Sequence, residues 1–285
     1  MSKFCGKNGD KNREKNDLNH KFKKQFGQNF LSDGELLESI VDDAGVTKED
    51  TVLEIGAGAG ALTKRLAERA KRVVCFEIDK ELQPILTAAL SGFDNVEVVF
   101  ADFMKQNLAE LEDKLGDGYV VAANLPYYVS SPVVMLFAEQ AKKIKRLTLT
   151  LQKEVGERLA ASAGSSEYGA VTVALDAVAD VKITRFIDRT MFYPVPNVDS
   201  VVVRADFAGN KYGIKNFKNF RRVVKAAFAQ RRKTFVNNLI CEFNVDRTTA
   251  ENWLKRNGVD VLARGETLNA KTFAALSDDL DALLT

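Results

Sequence analysis

A glycine-rich turn between an apolar segment and a helical segment constrains the fold of this chain more than any other feature. The apolar run Thr51–Ile55 has the character of a buried strand, the sequence GAGAG follows it directly at 56–60, and residues 61–70 have helical character. Glycines in such a turn let the backbone approach a ligand closely and direct the N–H groups of the next helix towards it. The turn therefore predicts the first strand–helix unit of a ligand-binding α/β sheet.

Further strands and helices alternate along the chain after this turn. Apolar runs predict strands at 72–78, 96–100, 119–123 and 147–151, with helical segments between them. This alternation implies right-handed crossovers and a parallel sheet. Two more strands are predicted at 181–186 and 198–207, joined by a rigid loop that contains two prolines.

Carboxylates follow two of the predicted strands. Glu77 lies 21 residues after Gly56, the usual position of a carboxylate that accepts hydrogen bonds from ribose hydroxyls. Asp102 follows the next strand, where it can accept from the amino group of an adenine or cap the short helix that comes after it. The turn and Glu77 suit a nicotinamide cofactor and S-adenosylmethionine equally, so they predict only a nucleoside-containing cofactor.

The sequence NLPYY at 124–128 follows the strand at 119–123. It puts a carboxamide, a backbone carbonyl and an aromatic ring at the carboxyl end of a strand, where open α/β sheets bind ligands. These groups are suited to holding a flat, amino-bearing ring by its edge and its face. Hydride transfer from nicotinamide has no evident use for them, which argues against a dehydrogenase.

The ends of the chain are basic and its middle is acidic. Residues 1–28 carry 8 basic and 3 acidic side chains, residues 211–285 carry 14 and 8, and residues 29–210 carry 19 and 28. Basic flanks indicate a polyanionic partner, although residues 1–20 also fit a simple solvated, mobile leader. An apolar stripe from Phe217 to Phe228 predicts a basic helix around 221–233 that displays Arg221, Arg222, Lys225, Arg231, Arg232 and Lys233.

Some functional classes are disfavoured by composition. The chain has one histidine and three scattered cysteines, which argues against a histidine-based triad, a metal site and a disulfide framework. No apolar run reaches membrane-spanning length, and the first 16 residues lack the apolar centre of a signal peptide. We expect a cytoplasmic, monomeric protein that binds neither a membrane nor a metal.

Several motifs in the same order carry a family resemblance. The tetrapeptide at 124–127 matches the (N/D)-x-P-(Y/F) motif of amino-group nucleic-acid methyltransferases. Together with FGQNFL (26–31), LEIGAGAGALT (53–63), FEID (76–79), YGAVTV (168–173), FYPVPNVDS (192–200) and AAFAQRRKT (226–234), it makes the chain resemble the KsgA/RsmA family of ribosomal RNA adenine dimethyltransferases from about residue 22 to 280.

The resemblance implies a fold, a domain organisation and an activity. The fold would be a Rossmann-like α/β sheet of the class I S-adenosylmethionine-dependent methyltransferases with a small all-helical C-terminal domain. Residues 1–20 would be a leader, 21–208 the methyltransferase domain and 209–285 a helical RNA-binding domain. The enzyme would dimethylate N6 of two adjacent adenosines near the 3′ end of the 16S rRNA of the small ribosomal subunit, with S-adenosylmethionine as cofactor.

The resemblance also implies roles for individual residues. The cofactor contacts would be Asn29, Leu31, Gly56, Glu77, Asp102 and Asn124. Asn124 and Leu125 would bind the adenine N6, while Tyr127 and Phe192 would stack on the target base. The rRNA backbone would be held by the basic helix and by Lys23 and Lys24 of the N-terminal arm.

Two alternative functions remain at this point. An Erm-type enzyme, which methylates large-subunit rRNA, would share the sheet, the cofactor site and the tetrapeptide, but FYPVPNVDS and AFAQRRKT favour the small-subunit enzyme. A non-catalytic RNA-binding assembly factor could use the same fold. The intact glycine turn, Glu77, Asp102 and Asn124 argue against that second alternative.

Overall fold

The structure is a computed structural model that describes residues 30–31, 33–126 and 128–284. The strands are β1 (Phe30–Leu31), β2 (Thr51–Ile55), β3 (Arg72–Glu77), β4 (Val96–Phe100), β5 (Tyr119–Asn124), β6 (Ile144–Gln152), β7 (Ala179–Ile187), β8 (Phe192–Tyr193) and β9 (Ser200–Phe207). The helices of the first two-thirds are α1 (Gly34–Ala44), α2 (Ala61–Arg69), α3 (Gln83–Leu90), α4 (Leu108–Leu115), α5 (Ser130–Gln140), α6 (Lys153–Leu159) and α7 (Ala170–Asp176). The C-terminal helices are α8 (Phe217–Phe228), α9 (Phe235–Phe243), α10 (Arg247–Arg256), α11 (Ala270–Asp278) and α12 (Asp281–Leu284).

Seven of the strands form one sheet in the order β4-β3-β2-β5-β6-β9-β7. All neighbouring pairs are parallel except those made by β9, which runs antiparallel to both β6 and β7. The predicted alternating α/β sheet is confirmed, but the sheet is mixed rather than wholly parallel. The reason is that residues 188–199 join β7 to β9 without a crossover helix, and a connection of that kind makes neighbouring strands antiparallel.

Helices cover both faces of the sheet and divide the core into two clusters. One cluster joins α1, α2 and α3 to residues such as Val52 and Val120, and the other joins α4, α5 and α7 to residues such as Leu53 and Val121. Successive side chains of a strand point to opposite faces, and those of β2 and β5 are buried on both faces because helices cover both. Their continuous apolar sequences follow from this double coverage.

The C-terminal helices share the second cluster with the sheet. Helix α8 buries Phe220, Val223 and Val224, and the ring centroid of Phe228 lies 6.0 Å from that of Tyr168, which precedes α7. The predicted helical region is therefore present and packs directly on the sheet domain. The predicted division between residues 208 and 209 stays a prediction.

Helix α8 ends at Phe228, so the prediction of one basic helix around 221–233 is wrong in its C-terminal part. Residues 231–233 form a turn that the Lys233 N–H closes by donating to the Gln230 carbonyl at 3.0 Å. The Asn238 side-chain amide donates to the carbonyls of Ala227 and Gln230 and so satisfies acceptors at the end of the helix. The apolar stripe that predicted the helix stops at the same residue.

Candidate active site

The carboxyl ends of β2, β3, β4 and β5 surround one cleft, which encloses about 1150 Å³ including its open mouth. The cleft lies where the strand order reverses, because β2 has β3 on one side and β5 on the other. Open α/β sheets bind ligands at this point. All the sequence-predicted cofactor and base-contact residues that the structure describes line it: Leu31, Gly56, Glu77, Asp102, Asn124, Leu125 and Phe192.

The glycine turn after β2 forms the floor of the cleft. Gly56 has a φ of 84°, and its N–H donates to the Phe76 carbonyl at 2.8 Å, which ties the turn to β3. A Cβ at Gly56 would lie 3.9 Å from the Asn124 carbonyl, so the missing side chain leaves space on the side that faces β5. Gly60, at the start of α2, also has a φ of 84°, which a residue with a side chain rarely adopts.

The Glu77 carboxylate is buried at the end of β3 and accepts two backbone hydrogen bonds. The Gly58 N–H donates to Oε2 at 2.7 Å and the Asp79 N–H donates to Oε1 at 2.8 Å. Burial raises the pKa of Glu77 above its usual value, against the lowering effect of these N–H groups. A carboxylate has about four acceptor positions, so Glu77 keeps capacity for the hydroxyls of a ribose.

Asp102 caps the short 3₁₀ helix Phe103–Lys105 and also faces the cleft. Its Oδ1 accepts from the Met104 N–H at 3.0 Å, and its Oδ2 lies 3.6 Å from the Lys105 ammonium. Phe103 is buried beside it, with its ring 5.5 Å from that of Phe76. The helix-capping role is therefore observed, and the adenine contact stays a prediction.

Asn124 is the last residue of β5, and Leu125 and Pro126 carry the chain across the cleft. The Val129 N–H and the Ser130 hydroxyl both donate to the Pro126 carbonyl, at 3.1 and 3.3 Å, and fold this segment into the start of α5. Tyr128 follows with 62% of its surface exposed at the cleft mouth. The segment thus holds the Asn124 and Leu125 backbone at the edge of the cleft.

A two-residue antiparallel pairing closes one side of the cleft. Strand β1 pairs with β8 so that Leu31 lies opposite Phe192. Both side chains are buried and belong to the same apolar cluster. The sequence predicted roles for both residues and did not predict that their strands pair.

Glu54 is a cleft residue that the sequence predictions missed. It lies in β2 with only 1% of its surface exposed, and its Oε2 has no hydrogen-bond partner among the described residues. Burial raises the pKa of Glu54 to about 8, and the nearby Glu77 carboxylate adds to this effect. A carboxylate inside an otherwise apolar strand, two residues before a glycine turn, was the signal that could have identified it.

The predicted RNA-binding side chains fall into two groups. The side chains of the first group contact other parts of the protein. Arg221 pairs with Glu139 at 2.8 Å, the Arg222 guanidinium lies 5.3 Å from the Phe243 ring centroid, and Arg231 donates to the Ser166 carbonyl at 2.6 Å. The side chains of the second group are exposed and make no hydrogen bond or ion pair to any residue that the structure describes: Lys225, Arg232 and Lys233. The second group has its charges available for a partner.

Four predicted site residues lie outside the described residues: Lys23, Lys24, Asn29 and Tyr127. In the described part of the chain, no cluster of three or more His, Cys, Asp and Glu side chains could hold a metal ion. Within the same ranges, no helix has both the length and the apolar character needed to cross a membrane.

Comparison with known proteins identifies the family. Residues 19–279 match the family model described as "Ribosomal RNA adenine dimethylase". The chain belongs to this family. The predicted family, the class I methyltransferase fold and the enzyme class of an rRNA adenine dimethyltransferase are thereby confirmed.

Relatives of this dimethylase family are similar over nearly the whole chain. Ribosomal RNA small subunit methyltransferase A of Bacillus licheniformis is 43% identical over 270 residues, which cover 92% of each chain. The Clostridium botulinum protein of the same name is 41% identical over 264 residues, covering 92% of this chain and 95% of the relative.

Two solved structures share the fold. A dimethyladenosine transferase from Plasmodium falciparum has a TM-score of 0.74 and 25% identity, covering 89% of this chain and 98% of that one. The 23S rRNA methyltransferase ErmE has a TM-score of 0.67 and 27% identity, covering 89% of this chain and 100% of that one.

Proposed function

We propose that this protein uses S-adenosylmethionine to dimethylate N6 of two adjacent adenosines near the 3′ end of 16S rRNA in the small ribosomal subunit, during ribosome biogenesis. The observation that carries the proposal is the convergence of Glu77, Asp102 and Asn124, from the ends of three strands, on the cleft formed by the glycine turn. We also propose that the protein acts in the cytoplasm and as a monomer.

The acceptor groups of the cleft fit S-adenosylmethionine. Three carboxylates line it, at Glu54, Glu77 and Asp102, so the cleft is suited to a ligand that is positively charged and rich in hydrogen-bond donors. Glu77 would accept from the ribose hydroxyls and Asp102 from the adenine amine. The buried Oε2 of Glu54, which has no partner among the described residues, would accept from the methionine ammonium.

The methionine end would be enclosed by two further parts of the chain. Gly56 leaves space on the side that faces β5, and the pairing of β1 with β8 holds Leu31 in the lining of the cleft. Asn29 would complete this wall. When bound, S-adenosylmethionine supplies an electrophilic methyl group on a sulfonium.

Asn124 and Leu125 would activate the target adenine by orienting it. The N6 lone pair of adenine is delocalised into the ring, which makes N6 a poor nucleophile. Hydrogen bonds from N6–H to the Asn124 carboxamide oxygen and the Leu125 carbonyl would favour a more tetrahedral nitrogen, with its lone pair directed at the methyl group. Most of the acceleration then comes from positioning and from acceptors fixed in advance.

No general base is needed before attack. The nitrogen becomes positively charged as it accepts the methyl group, and the resulting cation is acidic enough to lose its proton afterwards. This suits a cleft in which the Asn124 carboxamide and the Leu125 carbonyl are hydrogen-bond acceptors rather than bases of suitable pKa.

Aromatic side chains would hold the face of the base. A base in an RNA helix cannot reach the cleft until it leaves its stack, and enzymes that modify bases commonly hold the extruded ring between aromatic side chains. Tyr127 is expected to stack on the target adenine. Phe192, buried beside Leu31 in the cleft wall, would be the second wall.

The helical C-terminal region would bind the rRNA backbone. The exposed side chains of Lys225, Arg232 and Lys233 support this role. Binding through phosphate charge weakens as salt concentration rises. Arg221 and Arg222 are exposed but also contact protein groups, so we expect smaller contributions from them.

The choice between ribosomal subunits rests on the relatives. Those named for the small subunit are 41–43% identical, whereas ErmE, a 23S rRNA methyltransferase, is 27% identical. This favours the small subunit. An Erm-type enzyme is the competing candidate because ErmE shares the fold.

The decisive experiment is mass spectrometry of rRNA after incubation with the protein and isotopically labelled S-adenosylmethionine. Purified small subunits that lack the modification are compared with large subunits, and Asn124→Ala serves as the inactive control. We expect labelled N6,N6-dimethyladenosine at two adjacent positions near the 3′ end of 16S rRNA only. Label in large-subunit rRNA alone would instead establish the Erm-type function.

Calorimetry tests the non-catalytic alternative independently. An enzyme must bind S-adenosylmethionine, whereas an assembly factor with this fold need not. Absence of binding by the wild-type chain, with intact binding to small subunits, would favour the assembly factor.

A further inference from the structure

Exposed apolar surface is concentrated at the carboxyl edge of the sheet. Among the described residues, eight large hydrophobic side chains are strongly exposed, and two of them, Leu262 and Leu284, belong to the C-terminal helical region. The other six are carried by the strand ends and loops of this edge: Ile78, Tyr128, Phe186, Tyr193, Val195 and Val198. Such a concentration marks an interaction surface.

Strand register places Phe186 at the level of the candidate active site. Asn124 of β5 pairs with Thr150 of β6, Thr150 with Val202 of β9, and Val202 with Arg185 of β7. Phe186 is the next residue along β7 and is therefore level with Leu125. Three strand spacings separate β5 from β7, a distance of about 14 Å.

Phe186 is the most exposed aromatic side chain among the described residues at this edge, with 67% of its surface accessible. The Lys153 ammonium, at the start of α6, lies 6.0 Å from the centroid of its ring. A flat ring next to a cation is the arrangement with which proteins bind unpaired nucleotides, by stacking on the base and neutralising the phosphate. Val198, 43% exposed, directly precedes Asp199, whose carbonyl accepts from the Lys153 N–H at 3.0 Å.

We propose that Lys153, Phe186 and Val198 form an edge platform that binds an unpaired nucleotide a short distance along the RNA from the target adenosine, with its base stacked on Phe186. This inference rests on the proposed function, because an RNA whose adenine enters the cleft would bring its neighbouring nucleotides to this edge of the sheet. Continuity with the cleft favours RNA over a protein partner.

Stacking, rather than charge, is the main source of affinity at the edge platform. Acidic groups lie near it, since Glu157 is 3.9 Å from Lys153 and Asp199 accepts from the Arg189 N–H. The local charge is therefore mixed. The contribution of Phe186 should hold at high salt, unlike that of the exposed basic residues of the helical region.

Steady-state methyl transfer to purified small subunits tests the platform. We expect Phe186→Ala to raise KM for the subunit about tenfold, consistent with the loss of one base stack. The value of kcat and the affinity for S-adenosylmethionine should stay unchanged, and Phe186→Trp should retain the wild-type KM. Lys153→Ala should raise KM by a smaller factor. Its matched control is Lys182→Ala, which removes an exposed lysine four residues before Phe186 on the same strand.

A binding measurement separates failure of the platform from failure of the proposed function. Stacking of a base should quench the tryptophan emission of full-length Phe186→Trp when an unstructured RNA oligonucleotide with two adjacent adenosines is added. The buried Trp253 supplies the same background in the wild-type chain. Absence of quenching, or an unchanged KM in Phe186→Ala, overturns the platform. Quenching together with no methyl transfer by the wild-type chain leaves the platform standing and overturns the proposed function.

Discussion

Leu31 lies opposite Phe192 in the antiparallel pairing of β1 with β8, so a predicted cofactor residue and a predicted base-stacking residue support each other. Both side chains are buried in the same apolar cluster. The same wall of the cleft would thus contact both the cofactor and the target adenine. A substitution of either residue should therefore affect both cofactor binding and stacking of the target base.

Phe192→Ala should therefore weaken the binding of S-adenosylmethionine as well as methyl transfer. Loss of the ring leaves Leu31 without its partner, and we expect a roughly tenfold weaker cofactor Kd, equivalent to about 1.4 kcal/mol. Calorimetry measures this change directly. Phe192→Leu is the matched control because it keeps an apolar side chain opposite Leu31. Unchanged cofactor affinity in Phe192→Ala would show that the two positions act separately.

Asn124→Ala should reduce kcat by at least about 100-fold, because loss of one preorganised group that stabilises a transition state typically costs 10²–10³ in rate. Cofactor affinity should fall much less, since Glu77 and Asp102 are retained. Incorporation of labelled methyl groups into small subunits gives the rate. Methylation by Asn124→Ala at the wild-type rate would contradict the mechanism.

Glu54 should make the stability of the cofactor-free protein depend on pH. Its pKa is about 8 in the folded protein and near 4.5 when unfolded. The folded state therefore holds the proton more tightly, and stability that is present below pH 4.5 is lost as the pH rises to about 8, at up to ~1.4 kcal/mol per pH unit. Urea unfolding at pH 5.5 and 8.5 should show a larger loss in the wild type than in Glu54→Gln. Equal losses would mean that Glu54 does not titrate in this range.

Binding of the cofactor should release a proton from the Glu54 carboxyl group. If the methionine ammonium pairs with Glu54, the ionised carboxylate is favoured and its proton leaves on binding at pH 7. Calorimetry in buffers of different ionisation enthalpy measures the released proton. Release that is unchanged in Glu54→Gln would assign it to another group.

Arg232→Ala combined with Lys233→Ala should weaken RNA binding in a salt-dependent way. Each phosphate contact that is lost should lower the slope of log affinity against log salt by about 0.7–0.9. Filter binding between 50 and 200 mM salt is suitable. Arg231→Ala is the informative comparison, because Arg231 donates to the Ser166 and Tyr168 carbonyls and its loss should lower the unfolding free energy instead.

Gly265→Ala should destabilise the helical region by about 1–3 kcal/mol through overpacking. A Cβ at Gly265 would lie 2.3 Å from the Ala227 carbonyl oxygen near the end of α8, so the two segments must separate. The matched control is Gly92→Ala, where a Cβ meets nothing within 4 Å. Equal urea midpoints for the two variants would contradict the packing described for α8.

Local sequence patterns predicted most of the sheet because its central strands are covered on both faces. The runs that form β2, β4 and β5 are mostly apolar, although β2 contains Glu54 and β4 contains Glu97. They lead to the glycine turn, to Asp102 and to Asn124, respectively. Parallel strands bring their carboxyl ends to one edge, so these residues were expected to meet. Their positions around one cleft follow from that geometry.

Features that depend on distant contacts were not predictable in the same way. The pairing of β1 with β8 involves two residues on each side, separated by about 160 positions, and no periodicity marks it. The end of α8 at Phe228 depends partly on Asn238, which satisfies carbonyls at that end. Glu54 was overlooked because a strand pattern records apolar residues and gives no weight to a single buried charge.

The reversed direction of β9 separates the tasks of the cleft between two parts of the chain. Residues up to 126 supply the glycine turn and all three cleft carboxylates, whereas the loop that returns from β7 to β9 brings Phe192 back to the same edge. Apart from Phe192, which contacts Leu31, that returning loop can change in sequence without altering the glycine turn or the three carboxylates. A mutational library that varies residues 186–199 but retains Phe192 is therefore a direct route to a methyltransferase with the same cofactor and a different RNA preference.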